Sequence, residues 1–221
     1  MRVAVFVLVA ALAVPAVTTA ATGDPKAPQQ RHVAVDMKRA AALALRAKDF
    51  TAGWKLDPPP KQPPPCTAGP DESSMVQTAK VDPSFTWKDG VTNVGSEVDF
   101  FRTAAEARTD WRLSTLALVR MCLLQNARSG VGTSVKVSIV SAQQLAAPGS
   151  AERSLHYRFV FQLGPKRTTR LVTDVVALGR GRVTVVLHSV TLRSPLPPAV
   201  VSALVRVLAD RLNASRAGLT A

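Results

Sequence analysis

Few side chains in this chain are equipped for chemistry. Among 221 residues there are three histidines, two cysteines, and 15 aspartates and glutamates. His32 sits near the N-terminus, whereas His156 and His188 fall in runs that alternate like strands. Nucleophilic hydrolysis needs a serine or cysteine beside a base that a third group orients, and no G-x-S-x-G occurs. The β-branched runs Leu171–Leu178 and Val183–Val190 read as a hairpin. A three-residue turn with Gly181 in the left-handed region would set Asp174 opposite His188 and Val175 opposite Leu187. Ser189 is adjacent, but neighbours on a strand point to opposite faces, so it does not meet His188. That register gives a structural Asp–His pair rather than a triad. Acid pairs for glycoside hydrolysis cannot be singled out among acids scattered mostly in loops. Gly179-Arg180-Gly181 lacks the Lys-Ser/Thr and the following helix of a phosphate-cradling loop. Cys66 and Cys122, with no C-x-x-C spacing, do not make a zinc site. The reading therefore names no catalytic residue, no metal ligand and no cofactor. Arg158, Asp174, His188 and His156 are the candidate ligand contacts. A hydrolase acting on envelope material, with Asp174 and His188 in its site, is the alternative. It requires that pair and a serine hydroxyl within hydrogen-bond reach in one cleft.

Charge is the strong compositional feature. Lysine and arginine number 28 against 15 acids, a net charge of +13 and a pI near 10.9. Arg153, Arg158, Lys166, Arg167, Arg170, Arg180, Arg182 and Arg193 crowd the C-terminal third, at hairpin tips that need not share one end of a sheet. Such charge favours solubility and non-specific association. An anionic envelope polymer is one partner it suits. Nucleic acid is not expected, because one tyrosine, seven phenylalanines and three tryptophans make a thin stacking platform.

These residues must be positioned by a chain that begins as an exported one. Met1-Arg2, twelve apolar residues from Val3 to Val14, Pro15 and a small-residue stretch to Ala21 read as a secretory signal peptide, residues 1–21, cut after Ala20 or Ala21. No cysteine at the junction supports a lipid anchor, and no second segment approaches a membrane span, so the mature chain is expected to be secreted with no transmembrane segment. Export implies an oxidising compartment. Cys66 and Cys122 are then expected as one disulfide, worth about 4 kcal/mol in the chain-entropy picture.

Residues 22–34 read as a flexible arm, and 35–214 as a single α+β domain with a frayed tail at 215–221. Asp36 is placed to cap a helix that should stop near Gly53. Residues 57–70 hold seven of the sixteen prolines and read as a rigid spacer to Cys66. From Met75 strands dominate, Val91–Phe101 among them. Thr103 and Glu106 have capping-box spacing ahead of one helix carrying Trp111 and Cys122. A loop follows from Asn126 to Gly132. Strands around Val137, Leu155–Leu163 and the hairpin come next, then an amphipathic helix through Val201, Leu204, Val205, Leu208 and Leu212. Short connections imply an antiparallel β-sheet with helices packed on one face. Phe100, Trp111, Phe159 and Phe161 are expected in the core. The hairpin strands are apolar on both faces, so a second cover is needed: helices, or a small or amphiphilic ligand. A drug-sized ligand needs a cleft of about 300 Å³ or more.

Several of these stretches resemble a known family. AAALALRAKDFTAGW (40–54), CTAGPD (66–71), VGSEVDF (94–100) with Ala104-Ala105, Arg120-Met-Cys-Leu123 and DVVALGRGR (174–182) are similar to exported actinobacterial sensor-domain proteins, the type found outside the cell on the PknH-type mycobacterial serine/threonine kinase and in related lipoproteins. The resemblance runs from about residue 35 to 213. It implies an antiparallel sheet with packed helices, a cleft for an extracellular ligand, and no catalytic residues. The chain departs from it in having no kinase domain, no lipobox, and one possible disulfide where the kinase sensor has two.

Overall fold

The computed structural model describes residues 25–59, 66–131, 135–148, 151–164 and 169–215. The expected signal peptide, residues 60–65 of the proline-rich spacer, Lys166, Arg167 and the tail beyond 215 lie outside the described residues. Nine strands form one sheet: β1 (Gln29–Gln30), β2 (Trp54–Leu56), β3 (Val76–Val81), β4 (Ser84–Trp87), β5 (Asn93–Phe101), β6 (Val137–Leu145), β7 (Arg153–Leu163), β8 (Thr169–Arg180) and β9 (Val183–Leu192). Among the described residues four α-helices accompany them: α1 (Ala34–Leu43), α2 (Ala104–Leu113), α3 (Leu116–Val131) and α4 (Pro198–Ala214). The spatial order is β1-β3-β5-β9-β8-β7-β6, with β4 also beside β5 and β2 outside β4. Every pairing is antiparallel except the short β1, which runs parallel to β3. The stretch expected to be a flexible arm is thus tied along β3, from Gln29 to Val33.

Strands β3 and β4 are one line along β5, broken at Asp82-Pro83. Proline has no N–H for the ladder, but its carbonyl still accepts from Ser96 N–H at 3.0 Å. Alternation along β5 then decides the layers. Val94, Ser96, Val98 and Phe100 join Val183, Val185 and Leu187 of β9 and Val176 and Leu178 of β8 on one face. There α1 and α4 pack, α4 burying the five residues its periodicity predicts. The opposite face carries Tyr157, Phe159, Phe161, Val175 and Ala177, covered by α3 through Leu123 and Ala127, with Trp111 of α2 at its margin. Helices therefore cover both faces, not one. The two-sided apolar character of β8 and β9 demands this, since a bare second face would leave large side chains in water.

Local departures from the sequence reading have identifiable causes. The Thr103–Glu106 capping box forms, Glu106 N–H donating to Thr103 Oγ1 at 3.1 Å and Thr103 N–H to Glu106 Oε2 at 3.0 Å. The helix it opens breaks at Ser114-Thr115, so Trp111 and Cys122 lie on two helices, and α3 runs on through the expected loop to Val131. Helix α1 ends at Leu43, well before Gly53, because α4 takes over its C-terminus: Arg211 donates to the Ala44 carbonyl at 2.7 Å and to Asp49 at 2.6 Å.

Asp36 does not cap α1; Val33 is the N-cap and offers no side-chain bond. Its carboxylate lies in the first helical turn, buried, and receives the Arg182 guanidinium at 2.6 and 2.8 Å with Thr78 Oγ1 at 2.6 Å. Arg182 also donates to the Phe101 carbonyl at 3.1 Å and stacks over Phe100. Arg182 occupies a two-residue turn with Gly181, whose φ of 52° suits the first central position of a type II′ hairpin.

Removing one partner of a buried ion pair strands the other charge and typically costs about 3–5 kcal/mol. Asp36→Ala should lose stability of that order in urea unfolding, and adding Arg182→Met should recover part of it. The Arg182 hydrogen bond outweighs burial and holds the Asp36 carboxyl below its ordinary value. Its contribution is therefore present above the unfolded value near 3.8 and is lost as pH falls through the depressed folded value. The acid limb of a pH–stability curve should shrink in Asp36→Asn.

Candidate functional site

The two-residue turn shifts the hairpin register by one from the expected three-residue turn. Val175 opposes His188 and Asp174 opposes Ser189. A one-residue slip moves every side chain to the other face, so Asp174 and His188 lie on opposite faces of the sheet and the expected pair does not form. Asp174 instead receives His156 Nε2 at 2.7 Å and Arg158 Nε at 2.8 Å, beneath the α1–α4 layer. Burial alone would raise its carboxyl; the His156 and Arg158 hydrogen bonds outweigh that and hold it low. Ser189 is its neighbour on β9, but the Ser189 hydroxyl is buried with no hydrogen-bond partner. The imidazole lies across β8 on β7, about 10 Å away at two strand spacings. Three of the four candidate ligand contacts thus bond to one another away from the cavity, with Arg158 half-buried, and the hydrolase geometry built on Asp174 and His188 is absent.

His188 is placed differently. It faces a cavity of about 130 Å³ between the sheet and the α2–α3 layer. The walls are apolar: Trp111 and Leu113 from α2, Leu118 and Val119 from α3, and Tyr157, Val175, Ala177 and Val186 from the strands. The disulfide Cys66–Cys122, formed as expected, holds the 66–72 segment over one side. Beside it Thr67 donates through both N–H and hydroxyl to Gln125 of α3, and Glu72 N–H donates to the Lys26 carbonyl.

The floor is polar and comes from residues that composition alone did not single out. Glu97 and Asp99 project from β5 in opposite phase to Val94, Val98 and Phe100, and Asp110 reaches in from α2. All three are at most 6% exposed. Lys80 of β3 donates to Glu97 at 3.0 Å. A relay of side chains runs from Gln30 to Gln77 to Asp99. Burial, then the charge of Glu97, pushes Asp99 well above the usual carboxylate range. The charges of Glu97 and Asp99 outweigh burial at Lys80 and keep it cationic. Burial, only partly offset by Glu97, drives His188 down to about 4, leaving it neutral.

Asp110 is the remainder. Lys80 is taken by Glu97, and no hydrogen bond or ion pair reaches the Asp110 carboxyl among the described residues. Burial and the nearby Glu97 raise it to about 7. His188 Nδ1 and Thr184 Oγ1 also line or abut this space, buried and without partners. Gly95 makes room for the ring: a Cβ there would sit 2.3 Å from His188 Nε2. The signal for this floor was legible in principle, since acids alternating with valine and phenylalanine on a central strand must face something other than water. Among the described residues no cluster of His, Cys, Asp and Glu is arranged to hold a metal ion, and no helix is long and apolar enough to cross a membrane.

The architecture is that of a three-layer α+β domain with a small cavity beneath one helical layer. No protein-family model matches the chain, and no curated protein does. Among solved structures, it is similar to the extracellular domain of PknH from Mycobacterium tuberculosis, at 12% identity and a TM-score of 0.40, over 83% of this chain and 98% of that one.

Two outcomes test the floor. Gly95→Ala should displace the His188 ring and cost about 1–3 kcal/mol through overpacking, read by thermal unfolding. A carboxyl whose folded value is raised loses stability as pH climbs from its unfolded value, 3.8, to its folded one, about 7. Asp110→Asn should therefore match wild type near pH 4 and exceed it at pH 8, by about 2–4 kcal/mol.

Proposed function

We propose that this chain is an exported, non-enzymatic binding domain of sensor type that takes a small ligand in the cavity between its sheet and the α2–α3 layer. One observation carries the reading: apolar walls enclose a floor where a carboxyl, a ring nitrogen and a hydroxyl are buried without partners. Buried polar groups are ordinarily satisfied, and leaving them bare costs about 1–3 kcal/mol each. A ligand that bonds them recovers that cost on binding. The Cys66–Cys122 disulfide supports an oxidising compartment, and with it export.

The volume constrains the ligand. At about 130 Å³ the cavity falls short of the cleft expected for a drug-sized or long-chain amphiphile. It is comparable to an engineered apolar cavity of about 150 Å³ that admits benzene. A group seated wholly within it is therefore of single-ring or short-branched size. The cationic surface remains available for an anionic envelope polymer.

Native mass spectrometry of the protein purified from its own host, against a denatured control, should show a small co-purifying mass lost on unfolding. Ala177→Leu, which fills the cavity from β8, should abolish that mass while leaving the oxidised protein folded by circular dichroism. A bare wild-type protein, or a co-purifying mass indifferent to Ala177→Leu, would count against the reading.

A further inference from the structure

The charge left over in the floor specifies the ligand further, on the assumption that the cavity is a binding site. We infer that the cavity takes a small monocation, a protonated amine on an apolar body of about five or six carbons, with Asp110 as its counter-charge and His188 and Thr184 as hydrogen-bond partners of its head.

Glu97 is matched by Lys80 at 3.0 Å. Asp99 accepts from Gln77 Nε2, and burial pushes its carboxyl well above the usual carboxylate range. That leaves Asp110, 6% exposed, facing the cavity with no cation in contact. A neutral ligand would leave its charge unmatched, and an anion would repel it together with Glu97. An ammonium head supplies the missing charge and three donors. Neutral His188 presents an Nδ1 free of any other partner, and the Thr184 hydroxyl can accept as well as donate. Both residues are more than nine-tenths buried. The aromatic walls suit a cation too, through Trp111 and Tyr157. The remaining charged groups around Asp110 are Glu97 and Asp99 on β5, Lys80 on β3, and Arg153 on β7. Lys26 and Glu72 lie at the outer rim, and Glu72 is itself engaged. Arg153 is directed elsewhere, pairing with Glu152 at 2.6 Å and stacking over Trp111.

Binding a cation to the ionised form of Asp110 expels a proton wherever the free carboxyl still holds one. Affinity for the amine should then rise about tenfold per pH unit up to about 7 and level off above it.

The test is isothermal titration calorimetry of the oxidised protein with isopentylamine, isopentanol and isovalerate, which share one branched body and differ in the head. Isopentylamine should bind at least tenfold more tightly than isopentanol at pH 8, and isovalerate should not bind. Asp110→Asn, which should fold at least as stably, should lose the amine preference while keeping isopentanol. For wild type, amine affinity should climb between pH 5 and 7 with proton release, seen as a buffer-dependent heat. Equal affinity for amine and alcohol, or a flat pH profile, would overturn the amine assignment and leave the cavity as a binding site. Absence of heat from all three probes would overturn the cavity reading itself.

Discussion

The Arg182 guanidinium joins parts of the chain that are far apart in sequence. From a hairpin turn late in the chain it reaches the first turn of α1, the Thr78 hydroxyl of β3 and the last carbonyl of β5, while lying over the Phe100 ring. An arginine this buried holds its place only if its charge and most of its donors are met. Asp36 meets the charge in bidentate fashion, which also fixes the direction of the guanidinium plane. The turn that carries Arg182 is thereby pinned to two residues, and the two-residue turn sets the register of β8 against β9. The register in turn decides that His188, Thr184 and Val186 face α2 and α3. The ion pair on one face of the sheet thus determines which side chains line the cavity on the other.

The two faces differ in whether their buried carboxyls are met by partners. Under α1 and α4, Asp174 is saturated by His156 and Arg158, and Ser96 accepts from Leu45 N–H. These bonds are of the kind that specify a packing arrangement, while Ser189 Oγ and Arg182 Nε on the same face have no partner. Under α2 and α3 the floor is left open, with an unpaired carboxyl, a neutral imidazole and a bare hydroxyl.

Much of the fold was legible because periodicity reports directly on burial. The strands β5, β7, β8 and β9 and helix α4 follow their alternating or helical patterns, and the Thr103–Glu106 spacing gave a cap that forms. What periodicity could not supply was phase between strands. Gly181 suits a three-residue turn as well as a two-residue one, and the choice between them lies with Asp36, far away in sequence. Asp174 and His188 therefore looked like partners and are not. Asp36 looked like a helix cap for the same reason: its local spacing fits, and its true partner is distant. The floor of the cavity was half visible. Glu97 and Asp99 stood out of phase with their apolar neighbours, but Lys80 and Asp110 lie on exposed-looking patterns, and only the tertiary arrangement brings them there. Of the candidate contacts, His188 alone lines the cavity.

Strand order has a consequence for how the chain reaches this state. Strand β5 lies against β9, pairing Asn93 with Val190 and Phe100 with Val183. Synthesis proceeds from the N-terminus, so β3, β4 and β5 exist well before the strand that must lie beside them. Until β9 arrives, β5 offers an open hydrogen-bonding edge and an apolar face, and Asp36 has no guanidinium to bind. Long-range pairing of this kind slows folding, and the unfinished half-sheet is the species most prone to associate with its own copies. A chain built this way gains from being kept unfolded until its last strands emerge.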